Sequence, residues 1–288
     1  MSVQYNGGLD GLRAVIHVSG QRDEVMGSLR RVKTASGRAK EGLYLVEGPE
    51  LCRRALRYGA ELKAVICTQG FAGSEEGLAL RASLPSSCPT YVAHQGLIAK
   101  LLDAKPTPSC VALAHRSPRR WGDLVTPERV QRGGLWVGVD RGELADNLGM
   151  LLRSAEASAV DGVLLGNQTV DPFGRKVVRG SRGAVFSLPL ALEEEMVEGV
   201  RLAKQRGVQV ITTSANTDHP YTAVDFCKPS LLIVGNEHHG VSEAVLEQSD
   251  LCVTIPMLGQ INSLNIAVAA SVVLFEANRQ RAERAHVD

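Results

Sequence analysis

Residues 231–275, LLIVGNEHHGVSEAVLEQSDLCVTIPMLGQINSLNIAVAASVVLF, decide how the chain is to be read. Residues 231–234 are an unbroken apolar run of strand length, and Gly235-Asn236-Glu237 ends it at a turn where small side chains bring backbone amides to a ligand. Residues 251–255 form a second such strand, stopped by Pro256, which has no N–H for a ladder. The loop 257–262 then delivers Ser263-Leu264-Asn265 to the start of a long apolar helix. Two neighbouring strand ends that carry glycine- and amide-rich loops outline a small-molecule pocket at the carboxyl edge of an α/β sheet.

Working outward, alternation of strand and helix restarts at residue 135. Strands are expected at 135–139, 162–165 and 208–212, and helices at 147–158, 194–206 and 241–247. The helix after Ser263 is apolar nearly all round through Phe275, so it must be buried inside the fold or against a partner. The first hundred residues read as a smaller α/β domain. Its strands fall at 43–46, 62–67, 90–93 and 110–114. Its helices fall at 22–34, after Gly48-Pro49, at 75–82 and at 95–102. The expected organisation is thus a domain over 1–115 with a flexible Gly-rich N-terminal tail, a Pro- and Arg-bearing linker over 116–134, and a second domain over 135–288. The stretch 34–41, TASGRAKE, reads as a flexible loop whose Arg38 and Lys40 can follow phosphates.

A chain of 288 residues with 44% hydrophobic and 22% charged residues suits a globular protein of two ordinary domains. No apolar run approaches the roughly 20 residues of a membrane span, and MSVQYNGGLDG lacks the regions of a signal peptide, so the cytoplasm is the expected compartment. The six cysteines are scattered without a C-x-x-C pair, which argues against a zinc site and for reduced thiols. His238-His239 has no third ligand spaced nearby, so no metal is expected. The net charge of +1 hides an asymmetry: residues 1–134 carry 19 basic against 12 acidic side chains, and residues 135–288 carry 13 against 19. A first half with this excess is suited to a polyanion.

Upstream of the opening stretch, DNLGMLLRSAEASAVDGVLL supplies Asn147, Gly149 and Arg153. Together with Gly235-Asn236-Glu237, Ile255-Pro256-Met257 and Ser263-Leu264-Asn265, these residues make three motifs in order over the second half. The set resembles the SpoU/TrmH branch of the SPOUT RNA methyltransferases. It departs in one place: Leu144-Ala145-Asp146 stands where the family often has a proline before the Asn.

The resemblance implies a trefoil-knotted SPOUT α/β domain, here preceded by a smaller α/β domain of the ribosomal-protein-L30e-like, RNA-binding kind. It implies S-adenosylmethionine as cofactor, a homodimer formed by the second domain, and methylation of a ribose 2′-oxygen in structured RNA, with 23S ribosomal RNA the first choice. By the same correspondence, Asn147, Arg153, Glu237, Ser263 and Asn265 are the catalytic set, with Arg153 activating the hydroxyl and Glu237 able to hold Arg153. Gly235, Asn236, Ile255, Met257, Ser263 and Leu264 would hold the cofactor, and Thr213, Ser214 and Ala215 would line the same pocket. Arg175, Arg179 and Arg182, in a basic segment near glycines, are added to Arg38 and Lys40 as RNA contacts. A transfer RNA substrate and a non-catalytic RNA-binding protein of the same fold are the alternatives. Length and domain order suit both a housekeeping enzyme and one that protects the ribosome from an antibiotic. A nicotinamide-dependent dehydrogenase is excluded, because GVDRGELADNLG does not supply G-x-G-x-x-G after the first strand.

Overall fold

Apolar runs separated by turn residues pair into two sheets in a computed structural model that describes residues 14–166, 169–261 and 263–286. The expected N-terminal tail lies mostly outside the described residues, as does Asn262. Contacts divide the chain into one unit of Met1–Ser117 with Phe173–Phe186 and another of Pro118–Pro172 with Ser187–Asp288.

In the first unit, β1 (Ile16–His17), β2 (Leu43–Glu47), β3 (Leu62–Thr68), β4 (Thr90–Ala93) and β5 (Cys110–His115) form a mixed sheet of order β1-β4-β3-β5-β2. β4 pairs parallel with β1 and β3, and β5 pairs antiparallel with β2 and β3. One face packs Leu43, Leu45, Ile66, Val111 and Leu113 against Met26 and Leu29 of the helix Glu24–Arg31 and against Ile98 and Leu102 of the helix Gln95–Leu102. Burial pushes the Cys67 thiol up to about 12, and none of the six cysteines is in a disulfide.

The expected loop at 34–41 is instead the helix Ala35–Glu41. Thr34 caps it by accepting from the Gly37 N–H, and Gly42 ends it at φ 64°. A Cβ on Gly37 would stand 1.8 Å from the Arg31 carbonyl oxygen, so only glycine lets this helix follow the preceding one so closely. The stretch that suggested flexibility therefore holds a cap at Thr34 and a close approach at Gly37.

The segment Phe173–Phe186 belongs by its contacts to the first unit, although its sequence neighbours lie in the second. Phe173 and Phe186 flank buried Tyr44 at ring-centroid distances of 5.0 and 6.4 Å. The Arg116 guanidinium lies 5.0 Å from the Phe173 ring centroid. Arg175 forks onto the Glu47 carboxylate, with one contact at 2.9 Å, and donates to the Leu102 carbonyl at 2.6 Å. The carboxylate raises an arginine that is already strongly basic. Glu47→Gln removes the charge while keeping one acceptor, so it is expected to destabilise this unit by about 1–2 kcal/mol. The denaturant midpoint checks this, and an unchanged midpoint would show the pair to be energetically idle.

The second unit is built on a parallel sheet of β6 (Leu135–Asp140), β7 (Gly162–Gly166), β8 (Leu190–Leu192), β9 (Gln209–Thr213), β10 (Ser230–Val234) and β11 (Leu251–Val253), in the order β11-β9-β10-β6-β7-β8. β6, β7 and β10 are buried at every position, as expected of parallel strands covered on both faces. The strand expected over 251–255 pairs only to Val253, because Thr254 turns to bridge Pro220, and it is not the neighbour of β10 as expected, since β9 lies between them. Within the stretch expected as linker, Trp121 is 1% exposed and donates to the Gly199 carbonyl at 2.9 Å, which roots it in this unit's core.

The closing helix runs Ile266–Ala285 against Ala145–Ala157, and Ser271 Oγ donates to Ser154 Oγ at 2.7 Å. It is not buried on every side within the chain. Ala267, Ala270, Val273, Leu274 and Ala277 face inward, while Val268 and Phe275 are 47% and 52% exposed.

Candidate functional site

In a parallel sheet every strand ends at the same edge, so the loops after β6 and β10, which are neighbours, must meet there. The β10 loop is a closed turn. Asn236 and Gly240 exchange both backbone hydrogen bonds at 2.9 Å, and the Asn236 Oδ1 accepts from the N–H groups of His238 and His239 at 2.8 and 3.1 Å. Its Nδ2 donates to the Arg141 carbonyl at 2.9 Å. Asn236, 4% exposed, thereby ties the two loops together through both ends of its amide. A Cβ on Gly235 would lie 2.0 Å from the Gly240 carbonyl carbon, so the turn closes only on glycine.

Glu237 follows. Its carboxylate accepts from the Asn147 Nδ2 at 2.8 Å and from the backbone N–H groups of Glu143 and Leu144 at 3.3 and 3.4 Å. Asn147 in turn accepts, through Oδ1, from the Asn265 Nδ2 at 2.8 Å. The Asn265 Oδ1 caps the closing helix, accepting from Ala267 and Val268 at 2.9 and 3.4 Å. The amide orientations follow from these partners: Asn265 must present its NH2 to Asn147, which then has only its own NH2 for Glu237. One residue from each of the three sequence motifs is thus joined in a single directed chain.

The expected contact between Glu237 and Arg153 is not formed. Glu237 is occupied by the loop and Asn147, whereas Arg153 is exposed and makes no hydrogen bond or ion pair with the described residues. Ser263 is likewise exposed, and Leu264 is half-buried. Ile255 and Met257, after β11, are half-buried. Thr213 ends β9 opposite Val253; the Ser214 N–H bonds the Val253 carbonyl at 3.0 Å, and Ala215 is exposed. These positions place half-buried apolar side chains beside strand-end backbone groups, an arrangement that fits an adenosine with a charged amino-acid tail.

Sequence reasoning missed Asp140. It is fully buried at the end of β6, its Oδ2 accepts from the Ser242 N–H at 2.7 Å, and the Arg141 Nε stands 3.7 Å away. Arg141 itself has φ 58°, so this charged pair pins the sharp start of the loop that reaches Glu237. The signal was an acidic residue closing an otherwise apolar strand.

Of the expected RNA contacts, Arg38 is corrected: it is 6% exposed and donates to the Val32 and Lys33 carbonyls at 3.1 and 3.0 Å, closing the end of the preceding helix. Arg175 is taken up by Glu47, as described above. Lys40, Arg179 and Arg182 are exposed. His238 and His239 place their rings 6.5 Å apart, and no group of three metal-ligating side chains occurs among the described residues.

The SpoU rRNA Methylase family matches residues 134–275, the span that holds this site. The 23S rRNA (guanosine(2553)-2′-O)-methyltransferase RlmP of Bacillus subtilis is 27% identical over 85% of this chain and 92% of its own length. An uncharacterized tRNA/rRNA methyltransferase of Archaeoglobus fulgidus is 30% identical over 58% of this chain and 75% of its own. The SpoU methyltransferase AviRb of Streptomyces viridochromogenes, solved in complex with AdoMet, superposes with a TM-score of 0.80 at 26% identity, over 91% of this chain and 99% of that one. The chain belongs to the SpoU rRNA methylase family. It is an S-adenosylmethionine-dependent RNA methyltransferase.

Proposed function

We propose that this enzyme methylates the 2′-oxygen of a ribose in 23S ribosomal RNA. The observation that carries this reading is the chain Asn265–Asn147–Glu237, which spends its polar groups on one another and leaves Arg153 unpaired among the described residues. S-adenosylmethionine supplies an already activated methyl group, so the protein's task is to position it and to handle the hydroxyl proton. Backbone groups at Gly235 and Ile255, with Met257, Leu264 and the 213–215 turn, would hold the cofactor. The Arg153 guanidinium orients the ribose hydroxyl and offsets the charge of the adjacent phosphate as the hydroxyl proton passes to solvent. Ser263 faces the substrate side. Mass-spectrometric mapping of ribose methylation on 23S ribosomal RNA incubated with enzyme and S-adenosylmethionine tests the reading; an absence of new 2′-O-methyl groups would refute it.

The finer architecture is part of the same proposal: a trefoil knot in the second unit, an L30e-like first unit, and a cytoplasmic enzyme. No helix among the described residues is long and apolar enough to cross a membrane.

We further propose a homodimer through the second unit. Leu144, Met150, Val268 and Phe275 are 50%, 41%, 47% and 52% exposed, and they lie on or beside two helices that pack together. Apolar side chains concentrated in this way are suited to a twofold contact. Arg153 stands one turn from Met150, so pairing would bring it to the contact. Phe275→Glu should convert a particle of twice 30.8 kDa into one of that mass in sedimentation, with activity falling in parallel. A wild-type monomer that is fully active would refute the pairing.

A further inference from the structure

The proposed RNA reading leaves one surface of the first unit unexplained, and it joins two segments far apart in sequence. In the helix Arg175–Gly180, Val177 and Val178 face inward and Arg175 is held by Glu47, which leaves Lys176 and Arg179 exposed on the outer side. Arg182 follows in the left-handed region at φ 54°, with Gly183 after it at φ 103°. That bend is held by the other segment: the Arg54 Nη1 donates to the Arg182 carbonyl at 2.5 Å. A Cβ on Gly183 would come within 3.0 Å of the Arg54 side chain, so the close approach needs glycine.

Arg54 belongs to the helix Pro49–Arg57. Three and four residues on, and therefore beside it on the same face, come Arg57 and Tyr58. Tyr58 caps the helix end through its N–H to the Arg54 carbonyl and is 42% exposed, and Arg57 is exposed as well. Lys176, Arg179, Arg57 and the Arg182 guanidinium make no hydrogen bond or ion pair with the described residues. Two nearby acids are neutralised, Glu47 by Arg175 and Glu50 by Arg53 and Arg54, while exposed Asp103 lies near Arg175.

Exposed cations on two segments joined at Arg54 and Arg182, with one exposed aromatic ring at the helix end, have the chemistry of a single-stranded nucleic-acid track. The cations follow phosphates and the ring receives an unstacked base. A protein partner of ordinary composition would leave these cations facing mixed charge. Resting on the proposal that the enzyme acts on RNA, we infer that Tyr58 stacks on a base of a single-stranded RNA segment whose phosphates lie along Arg57, Lys176, Arg179 and Arg182. The bend held by Arg54 fixes the spacing of the two halves of this track. It would grip an unpaired loop or strand flanking the target ribose.

The test uses the full chain with a labelled single-stranded RNA of about 12 nucleotides and with the same strand annealed to its complement. Tyr58→Ala should weaken single-strand binding about tenfold, leave duplex binding unchanged, and leave the melting temperature unaltered because the ring is at an exposed helix end. Tyr58→Trp should retain affinity. Combined Lys176→Gln, Arg179→Gln and Arg182→Gln should reduce the slope of log affinity against log salt by about 2, at roughly 0.7 per lost phosphate contact on a single strand. On 23S ribosomal RNA, Tyr58→Ala should raise KM and spare kcat. Equal losses on single strand and duplex, or none on either, would overturn the inference, as would a loss seen only with intact ribosomal particles, which would assign the surface to a protein. If the wild-type enzyme methylates 23S ribosomal RNA while the variants bind normally, this track alone is wrong. If the wild type neither binds nor methylates that RNA, the underlying reading falls with it.

Discussion

Arg153→Ala is expected to lower kcat for ribose methylation by about 10²- to 10³-fold, the range for removing a donor that stabilises charge developing in the transition state. Affinity for S-adenosylmethionine should stay within about twofold. The two effects separate because Arg153 is exposed and unbonded among the described residues, while the groups assigned to the cofactor sit at the ends of β9, β10 and β11. Calorimetry with the cofactor and single-turnover methylation read them independently. Arg153→Lys keeps the charge but loses the planar fork that meets a hydroxyl and a phosphate together. It should recover only part of the rate. A loss of cofactor binding equal to the loss of rate would make Arg153 a structural residue. That outcome is disfavoured on physical grounds: deleting an exposed side chain that bonds to none of the described residues leaves no buried group among them unsatisfied.

The second half of the chain was legible because its signals are strong and local. Parallel strands buried on both faces read as continuous apolar runs, so β6, β7, β9 and β10 fell where the residues placed them to within one or two positions. Asn147, Glu237 and Asn265 could be named from their motifs, but their mutual contact could not. They are separated by 90 and 118 residues, and nothing local to any of them reports that the loops after β6 and β10 converge. The family pattern suggested Glu237 and Arg153 as partners. The carboxylate instead found nearer donors in two backbone N–H groups and an amide, which need no flexible side chain to be ordered.

The failures in the first unit share a cause. Arg38 looked like a phosphate ligand because arginine in a Ser-Gly-Arg stretch is usually solvated. Here the preceding helix ends with free carbonyls at Val32 and Lys33, and the guanidinium fork satisfies both. The segment Phe173–Phe186 was read as a basic RNA-contacting stretch, and its helix Arg175–Gly180 was not expected. Two phenylalanines and a Glu47 partner draw that segment to the first unit, and a partner 128 residues away leaves no mark on local periodicity. Exposed Lys176, Arg179 and Arg182 remain as the cations that the sequence advertised.

Asn147→Asp should be the most damaging single-atom change in the site. The Asn147 Nδ2 is replaced by an oxygen facing the Glu237 carboxylate from 2.8 Å, and the residue is only 5% exposed, so the repulsion is poorly screened by water. Rotating the new carboxylate does not help, because the Asn265 NH2 needs an acceptor and either oxygen left over still meets Glu237. The expected cost is about 2–3 kcal/mol of stability at neutral pH, with the loop at Glu143 and Leu144 released and methylation lost. The pH dependence has a definite sign. Two carboxylates sharing this position raise the folded-state pKa of the pair above the unfolded value of about 3.9 for Asp. A raised group contributes stability that is complete below the unfolded pKa and is lost as pH rises through the folded one. The variant should therefore approach wild-type stability near pH 4 and fall behind progressively above it. Asn147→Ala, which only leaves Glu237 and Asn265 with a missing partner, should lose stability without that slope. Denaturant titrations of both variants across this range decide the matter: parallel curves would mean that the Asn147 NH2 does not face Glu237 in solution, and the directed chain from the closing helix to the β6 loop would have to be abandoned.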